Sequence, residues 1–308
     1  MKYIYSILLL FAVQSLSFGQ QDLQMSHYLF NGLYWNPGYA GSHDYIRTAA
    51  AYRHQWTAMK GAPKTLMVSA DIPFKLDNMG VALQIVNDRL GVTNMTEIYA
   101  TYAYHIKLKE NLRLGLGIKA GISNYSARLS ELTVWDAGDD LFTNDMRNII
   151  MPKIGFGAYL HSDKYYVGVS IPTLWAYSSD YAFSLDMNKS SWLRRHIFAS
   201  AAYVFDINED FKIKPSVFTK FVNHAPFQLD INATLIWKDM LHLTLGYRSN
   251  AAALAMIEVQ PISHLRFGYA FDLSTPQYLR MYGGTTHEIM VGYDIVRQSS
   301  SLRSPRHF

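Results

Sequence analysis

The 308 residues contain no cysteine. A disulfide framework and a thiolate metal site are excluded, and a chain that avoids thiols is compatible with export to an oxidising compartment. Charge is also sparse. Asp, Glu, Lys and Arg together make 17% of the chain, against about 25% in ordinary soluble proteins. The formal charge of +4 is modest and its basic residues are scattered. No nucleic-acid footprint results; a basic outer rim meeting anionic lipid is the milder reading. After the N-terminus, no run reaches the roughly 18 uncharged apolar residues of a membrane-spanning helix. Phosphate loops, dinucleotide fingerprints and HExxH pairs are missing as well. Ser42-His43-Asp44 are contiguous, a poor arrangement for a nucleophile–base–orienter chain, and His161, His242 and His264 lie at scattered strand ends. The expectation is a non-enzymatic protein without a cofactor.

What is present is alternation. In Leu112–Ser123, residues Leu112, Leu114, Leu116, Ile118, Ala120 and Ile122 share one face of an extended chain. Arg113, Gly115, Gly117, Lys119, Gly121 and Ser123 share the other. Twelve residues at about 3.3 Å each, tilted near 45°, match the thickness of an apolar membrane band. The same pattern recurs at Phe227–Trp237, Leu241–Arg248, Leu265–Asp272 and Glu288–Ile295. Lipid touches every second residue of such strands, so hydrophobicity is diluted and no segment looks like a membrane helix.

In chain order, Lys2, an apolar core from Ile4 to Val13 and small residues at Ser17 and Gly19 predict a signal peptide over 1–19, with no lipobox cysteine after it. Residues 20–44 form a second unit. Met25, Tyr28, Leu29 and Leu33 at helical spacing, broken by Asn36-Pro37-Gly38, predict a short amphipathic helix and turn that lies across a barrel mouth or enters the lumen. Fourteen strand candidates follow within 45–296: 45–55, 64–72, 79–87, 95–107, 111–124, 152–161, 164–171, 195–206, 210–222, 226–237, 240–248, 250–260, 263–273 and 286–296. The segment 195–206 is apolar on both faces, and Pro215 inside a strand predicts a local bulge or kink. A polar, basic tail, 297–308, has no assigned place.

Connections test the reading independently. Those after even-numbered strands are all short, and the long ones, Trp56–Pro63, Tyr125–Met151, Pro172–Arg194 and Ser274–Thr285, follow odd-numbered strands. That sorting is the outer-membrane pattern of short periplasmic turns and longer extracellular loops. The fold class is therefore all-β: a transmembrane outer-membrane β-barrel of about fourteen antiparallel strands with a short N-terminal helix/turn plug.

In the long loops, Asp136, Asp139, Asp140 and Asp145 form a weak candidate Ca²⁺ site by ligand type; the spacing is not that of an EF-hand, and a solvated loop face is the favoured reading. Trp135, Phe142, Trp175, Tyr177, Tyr181 and Trp192 are candidate partner-binding aromatics; the alternative is that these loops fold inward.

Several short motifs come in a fixed order: Tyr28-Leu29-Phe30-Asn31, Asn36-Pro37-Gly38-Tyr39-Ala40-Gly41, Tyr52-Arg53-His54-Gln55-Trp56, Gly61-Ala62-Pro63-Lys64-Thr65, Ser69-Ala70-Asp71-Ile72-Pro73, Lys214-Pro215-Ser216 and Gly284-Thr285-Thr286-His287-Glu288-Ile289. Together they resemble the PorP/SprF family of outer-membrane proteins associated with the type IX secretion system of Bacteroidetes. Asn36, Pro37, Gly41, Trp56, Gly61, Pro63, Thr65 and Pro73 are the family-motif positions; Gly38, where the family usually has alanine, is a departure that loosens the turn. The resemblance implies a barrel supporting secretion or surface attachment of large proteins with a type B C-terminal domain, gliding adhesins among them. It also implies periplasmic or peptidoglycan-linked type IX partners. Physically, Arg47, Arg53 and Gln55 on the first strand, and Ser69 and Asp71 on the second, are expected to face the lumen, with an Arg–Asp pair across the strands. That cluster either seats the plug or forms a partner surface. The other functional class in play is a diffusion channel for small solutes, since about fourteen strands can enclose a path.

Overall fold

The computed structural model describes residues 25–74, 78–132, 145–176, 195–222 and 225–295. The expected signal peptide and the C-terminal tail lie outside these. The strands are β1 (Ile46–His54), β2 (Lys64–Phe74), β3 (Met79–Leu90), β4 (Thr93–Lys109), β5 (Leu112–Ala127), β6 (Met146–Ser162) and β7 (Tyr165–Ala176). They continue as β8 (His196–Tyr203), β9 (Phe211–Val222), β10 (Gln228–Trp237), β11 (Leu241–Arg248), β12 (Ala252–Ile262), β13 (Leu265–Ser274) and β14 (Thr285–Ile295). A two-residue piece, Phe205–Asp206, prolongs β8. Each strand pairs antiparallel with the one before it. β14 pairs with β1 from Ile46↔Ile295 to His54↔His287, which closes the sheet into a fourteen-strand barrel.

All fourteen strands lie where the alternation predicts them. Several run further than expected, β6 and β7 the most: β6 starts at Met146 rather than 152, and β7 continues to Ala176 rather than 171. The extra residues of these two rise on the extracellular side, above the apolar band, where alternation no longer marks a strand. Among the described residues, turns on the other side are tight. Lys238–Met240 form one of them, with Lys238 and Asp239 at positive φ (51° and 55°) and Met240 N–H donating to Trp237 O at 3.0 Å.

The two faces separate as the pattern demands. Leu116, Ile118 and Ile122 point outward while Lys119 and Ser123 are buried inside, at 2% and 0% exposure. Outward rows of Leu, Ile, Val, Tyr and Phe form the lipid-facing band, because closure leaves no backbone edge and only side chains meet acyl chains.

Pro215 causes no bulge. Its register with β10 runs unbroken through Lys214↔Thr234, Pro215↔Ala233 and Ser216↔Asn232. On the other flank the ladder with β8 lapses between Ser216↔Ala202 and Ile213↔Phe205, in unchanged register, at Val204. The missing N–H thus coincides with a gap in the ladder with β8, while Val204 N–H keeps its bond on the β7 side, to Lys164 O at 2.7 Å.

Candidate functional site

The lumen is filled by the chain's own Met25–Tyr45. Only Tyr34 and Asp44 in that stretch are even partly exposed. The expected amphipathic helix is not formed; two 3₁₀ turns, Ser26–Leu29 and Pro37–Tyr39, stand in its place. A segment walled in on every side has no polar face to give to water, so a one-sided helical stripe has nothing to gain. Instead its backbone groups are satisfied one by one from the wall.

The segment runs downward. Ser26 and His27 bind side chains close to the extracellular ends of β13 and β14: Ser26 N–H donates to Glu288 Oε2 (2.8 Å), His27 N–H to Glu288 Oε1 (3.0 Å), and Ser26 Oγ to Asp272 (2.9 Å). At the other end, Gly41 N–H donates to Asp71 Oδ1 (2.7 Å), and His105 Nε2 contacts Ala40 O at 2.7 Å, both near the periplasmic rim. Between them, Asn31 binds Ser69 Oγ (3.0 Å), Asn36 Nδ2 donates to Ala158 O (2.9 Å), and Ser170 Oγ donates to Trp35 O.

An ionic network encloses the upper anchor. Arg53 Nη1 donates to Glu288 (2.9 Å) and to Ser26 Oγ (3.0 Å), while its Nη2 donates to Asp272 (2.7 Å). Arg248 lies 3.7 Å from Asp272 and donates to Asp230 at 2.9 Å. Asp230 also accepts from Tyr28 OH, whose oxygen in turn accepts from Asn232. Wall charges of opposite sign are thus matched to each other and to the plug. Lys153 pairs with Glu97 deeper along the opposite wall.

Apolar contacts complete the fill. Phe218 packs on Tyr28 (centroids 4.4 Å apart), on Trp35 (5.5 Å) and on Phe198 (5.4 Å). That explains why strand β8 is apolar on both faces: one meets lipid and the other meets plug rings. Tyr39 stacks edge-on against Tyr159 at 5.4 Å. The Asn36–Gly41 turn lies flush against β3, β5 and β6, and a Cβ at Gly115, Gly117, Gly157 or Gly80 would collide with it. Gly38 follows the same rule: a Cβ there would sit 2.7 Å from Gly115 O. Its glycine serves close approach to the wall rather than loosening the turn.

Arg47, Arg53, Ser69 and Asp71 all point into the lumen and are buried. Gln55 does not join them; it lies beyond β1, partly exposed, its N–H on Pro63 O at 3.0 Å. Arg47 and Asp71 are in register, yet the expected cross-strand pair is not a direct contact. The carboxylate is committed to Gly41, and Arg47 reaches Tyr39 OH (2.7 Å) and His43 Nε2 (2.7 Å). Of the motif positions, Trp56, Gly61, Pro63 and Thr65 shape the first extracellular turn: Gly61 takes φ 75° and accepts from Gly91 N–H, and Thr65 donates to Asp88 (2.6 Å). Asn36, Pro37 and Gly41 belong to the plug, and Pro73 pairs with Gly80 at the periplasmic end.

Trp135, Phe142, Tyr177, Tyr181, Trp192, Asp136, Asp139 and Asp140 lie outside the described residues, and of Trp175 only the backbone is described. Asp145 binds the Ser130 hydroxyl (2.8 Å) and Arg147 (3.1 Å). The Ser130 hydroxyl and amide, then Arg147, hold its carboxyl below the usual aspartate range. Sequence reasoning missed the helix α1 (Gln277–Tyr282) on the extracellular side, with Tyr278, Met281 and Tyr282 exposed at 68%, 63% and 58%. The i, i+4 tyrosines in that connection were the available signal. It also missed Ser26 and His27, which carry no pattern of their own.

Solved barrels are similar in overall shape. They include the KdgM porin (13% identity, TM-score 0.38, covering 80% of this chain and 98% of the porin). The Acinetobacter baumannii outer membrane protein Omp33 aligns at 9% identity and TM-score 0.42, over 83% and 100%. The P. putida toluene transporter TodX aligns at 9% and 0.47, over 90% and 95%. No curated protein matches the chain. The family model described as "Type IX secretion system membrane protein PorP/SprF" matches residues 17–293. With the closed barrel and the motif residues in place, the chain belongs to the PorP/SprF family and is an outer-membrane β-barrel of the type IX secretion system.

Proposed function

We propose that this barrel acts by docking protein, supporting the secretion or surface attachment of large cell-surface proteins with a type B C-terminal domain, gliding adhesins among them. The observation that carries this reading is the lumen occupied by Met25–Tyr45 and pinned along its length by wall side chains. A conduit for solutes needs an open path; a docking platform does not. The exposed Tyr278, Met281 and Tyr282 on α1, with Met59 in the first extracellular turn, supply an apolar extracellular surface of the kind that partner proteins cover. On the other side, periplasmic type IX or peptidoglycan-linked components are the partners implied by membership.

Deleting the gene tests the reading: one surface protein or a small set should disappear from the cell surface while other exported proteins remain. Failure of all exported proteins together would replace docking with a core-channel role. Steady porin-like openings of the purified protein in planar bilayers would favour the solute-channel reading.

A further inference from the structure

We propose that the extracellular edge of β1–β3 is a binding site for the phosphorylated headgroup of an outer-leaflet glycolipid. The register places His287, His54, Lys64 and Arg89 in one row across four neighbouring strands, β14, β1, β2 and β3. All four share the outward parity of Tyr52, Leu66 and Ile289, which face lipid. Adjacent strands are about 4.8 Å apart, so the row spans roughly 15 Å across the strands.

The next row toward the membrane reads Ile289, Tyr52, Leu66 and Asn87, and the one below it Val291, Ala50, Val68 and Ile85. Two charged side chains, Lys64 and Arg89, and two imidazoles therefore sit where the apolar band ends. From mid-height to this edge, the outward positions of β1–β5 and β14 carry no Asp or Glu. The outward strand positions of β9–β13 carry no Lys or Arg at all. Between the two sectors β1–β3 and β9–β13, outward Lys and Arg occur on the first alone; elsewhere at the extracellular end, Arg147 on β6 and Arg195 beyond the end of β8 are exposed.

The four differ in availability. His287 is engaged by Tyr269 OH (2.6 Å) and Thr285 Oγ1 (2.9 Å). Arg89 gives its Nε to Asn94 Oδ1 at 3.3 Å, which fixes the guanidinium plane and leaves its terminal nitrogens for a bidentate anion contact. Lys64 is exposed on the adjacent strand, and neither it nor Arg89 has a carboxylate partner among the described residues. A phosphate at this height would meet a fork and a point charge, while its acyl chains run down Leu66, Val68 and Ile85.

The test uses the full-length protein in detergent micelles, with phosphate-bearing lipid A and the same lipid stripped of phosphate, bound species being measured by native mass spectrometry. The K64Q/R89Q variant should lose about tenfold or more in affinity for the phosphorylated lipid. The K107Q/R113Q variant, at the periplasmic end, should match wild type. Removing the phosphate should reproduce the K64Q/R89Q loss on the wild-type protein, and excess inorganic phosphate should not displace the lipid. Equal affinity for both lipids overturns the proposal, as does equal loss in both variants or displacement by free phosphate. Both substituted pairs are exposed, and heat-modifiable migration on gels confirms that each variant is folded.

Discussion

Replacing Arg53 with alanine removes the cation that holds the first strand, the last two strands and the plug together. Its side chain is 5% exposed, against 4% for Asp272 and 0% for Glu288. Breaking a buried ion pair by deleting one partner costs about 3–5 kcal/mol, chiefly because the surviving charge stays buried. Two neighbours soften the loss: Arg248 remains 3.7 Å from Asp272, and His27 Nδ1 lies 2.6 Å from Glu288. The expected destabilisation is therefore near the lower end, about 3 kcal/mol, or roughly two orders of magnitude in the unfolding equilibrium. Urea titration in lipid vesicles, followed by the fluorescence of the six tryptophans, reads it directly. Neutralising the whole set, Arg53→Met with Glu288→Gln and Asp272→Asn, should recover most of the loss, because no charge is then left unmatched. If Arg53→Ala unfolds within about 1 kcal/mol of wild type, the network is hydrated and the reasoning fails.

Gly117→Ala places a methyl on the Pro37 backbone, which cannot yield as a flexible side chain would; a cost of about 1–3 kcal/mol and the appearance of ion conductance across planar bilayers are expected, and a silent, fully stable variant would contradict the flush contact. Asp145 responds to pH in a stated direction. Its carboxyl is held below the usual range by Ser130 and Arg147, so the contact is complete above the ordinary aspartate pKa of about 3.9 and is lost only as pH falls through the lowered value. Hydrogen-exchange protection of the Ser130 amide should persist at pH 5 in the wild type and be absent at pH 7 in Asp145→Ala, which removes the acceptor.

The barrel was legible because lipid outside and polar side chains inside impose a two-residue period on every strand, from Leu112 to Ile295. What lay inside was not. Met25, Tyr28, Leu29 and Leu33 show helical spacing, but a segment with wall on all sides obeys contact by contact rather than by face. Asp71 was recognisable as a lumen residue, yet its partner is a backbone amide of Gly41, which no sequence pattern marks. Arg53 was found, while Asp272 and Glu288 were separated from it by more than two hundred positions and joined only by closure of the ring. The Leu-Gly-Leu-Gly rhythm of β5 was read as alternation alone; its glycines are small because the Asn36–Gly41 turn rests on them.

The plug's upper anchor, Ser26 and His27, is gripped by Glu288 and Asp272 from the final two strands and by Arg53 from the first. The earliest residues of the folded chain thus wait for the latest ones to be delivered. The grip on the interior segment is therefore complete only once the seam between the first and last strands has closed.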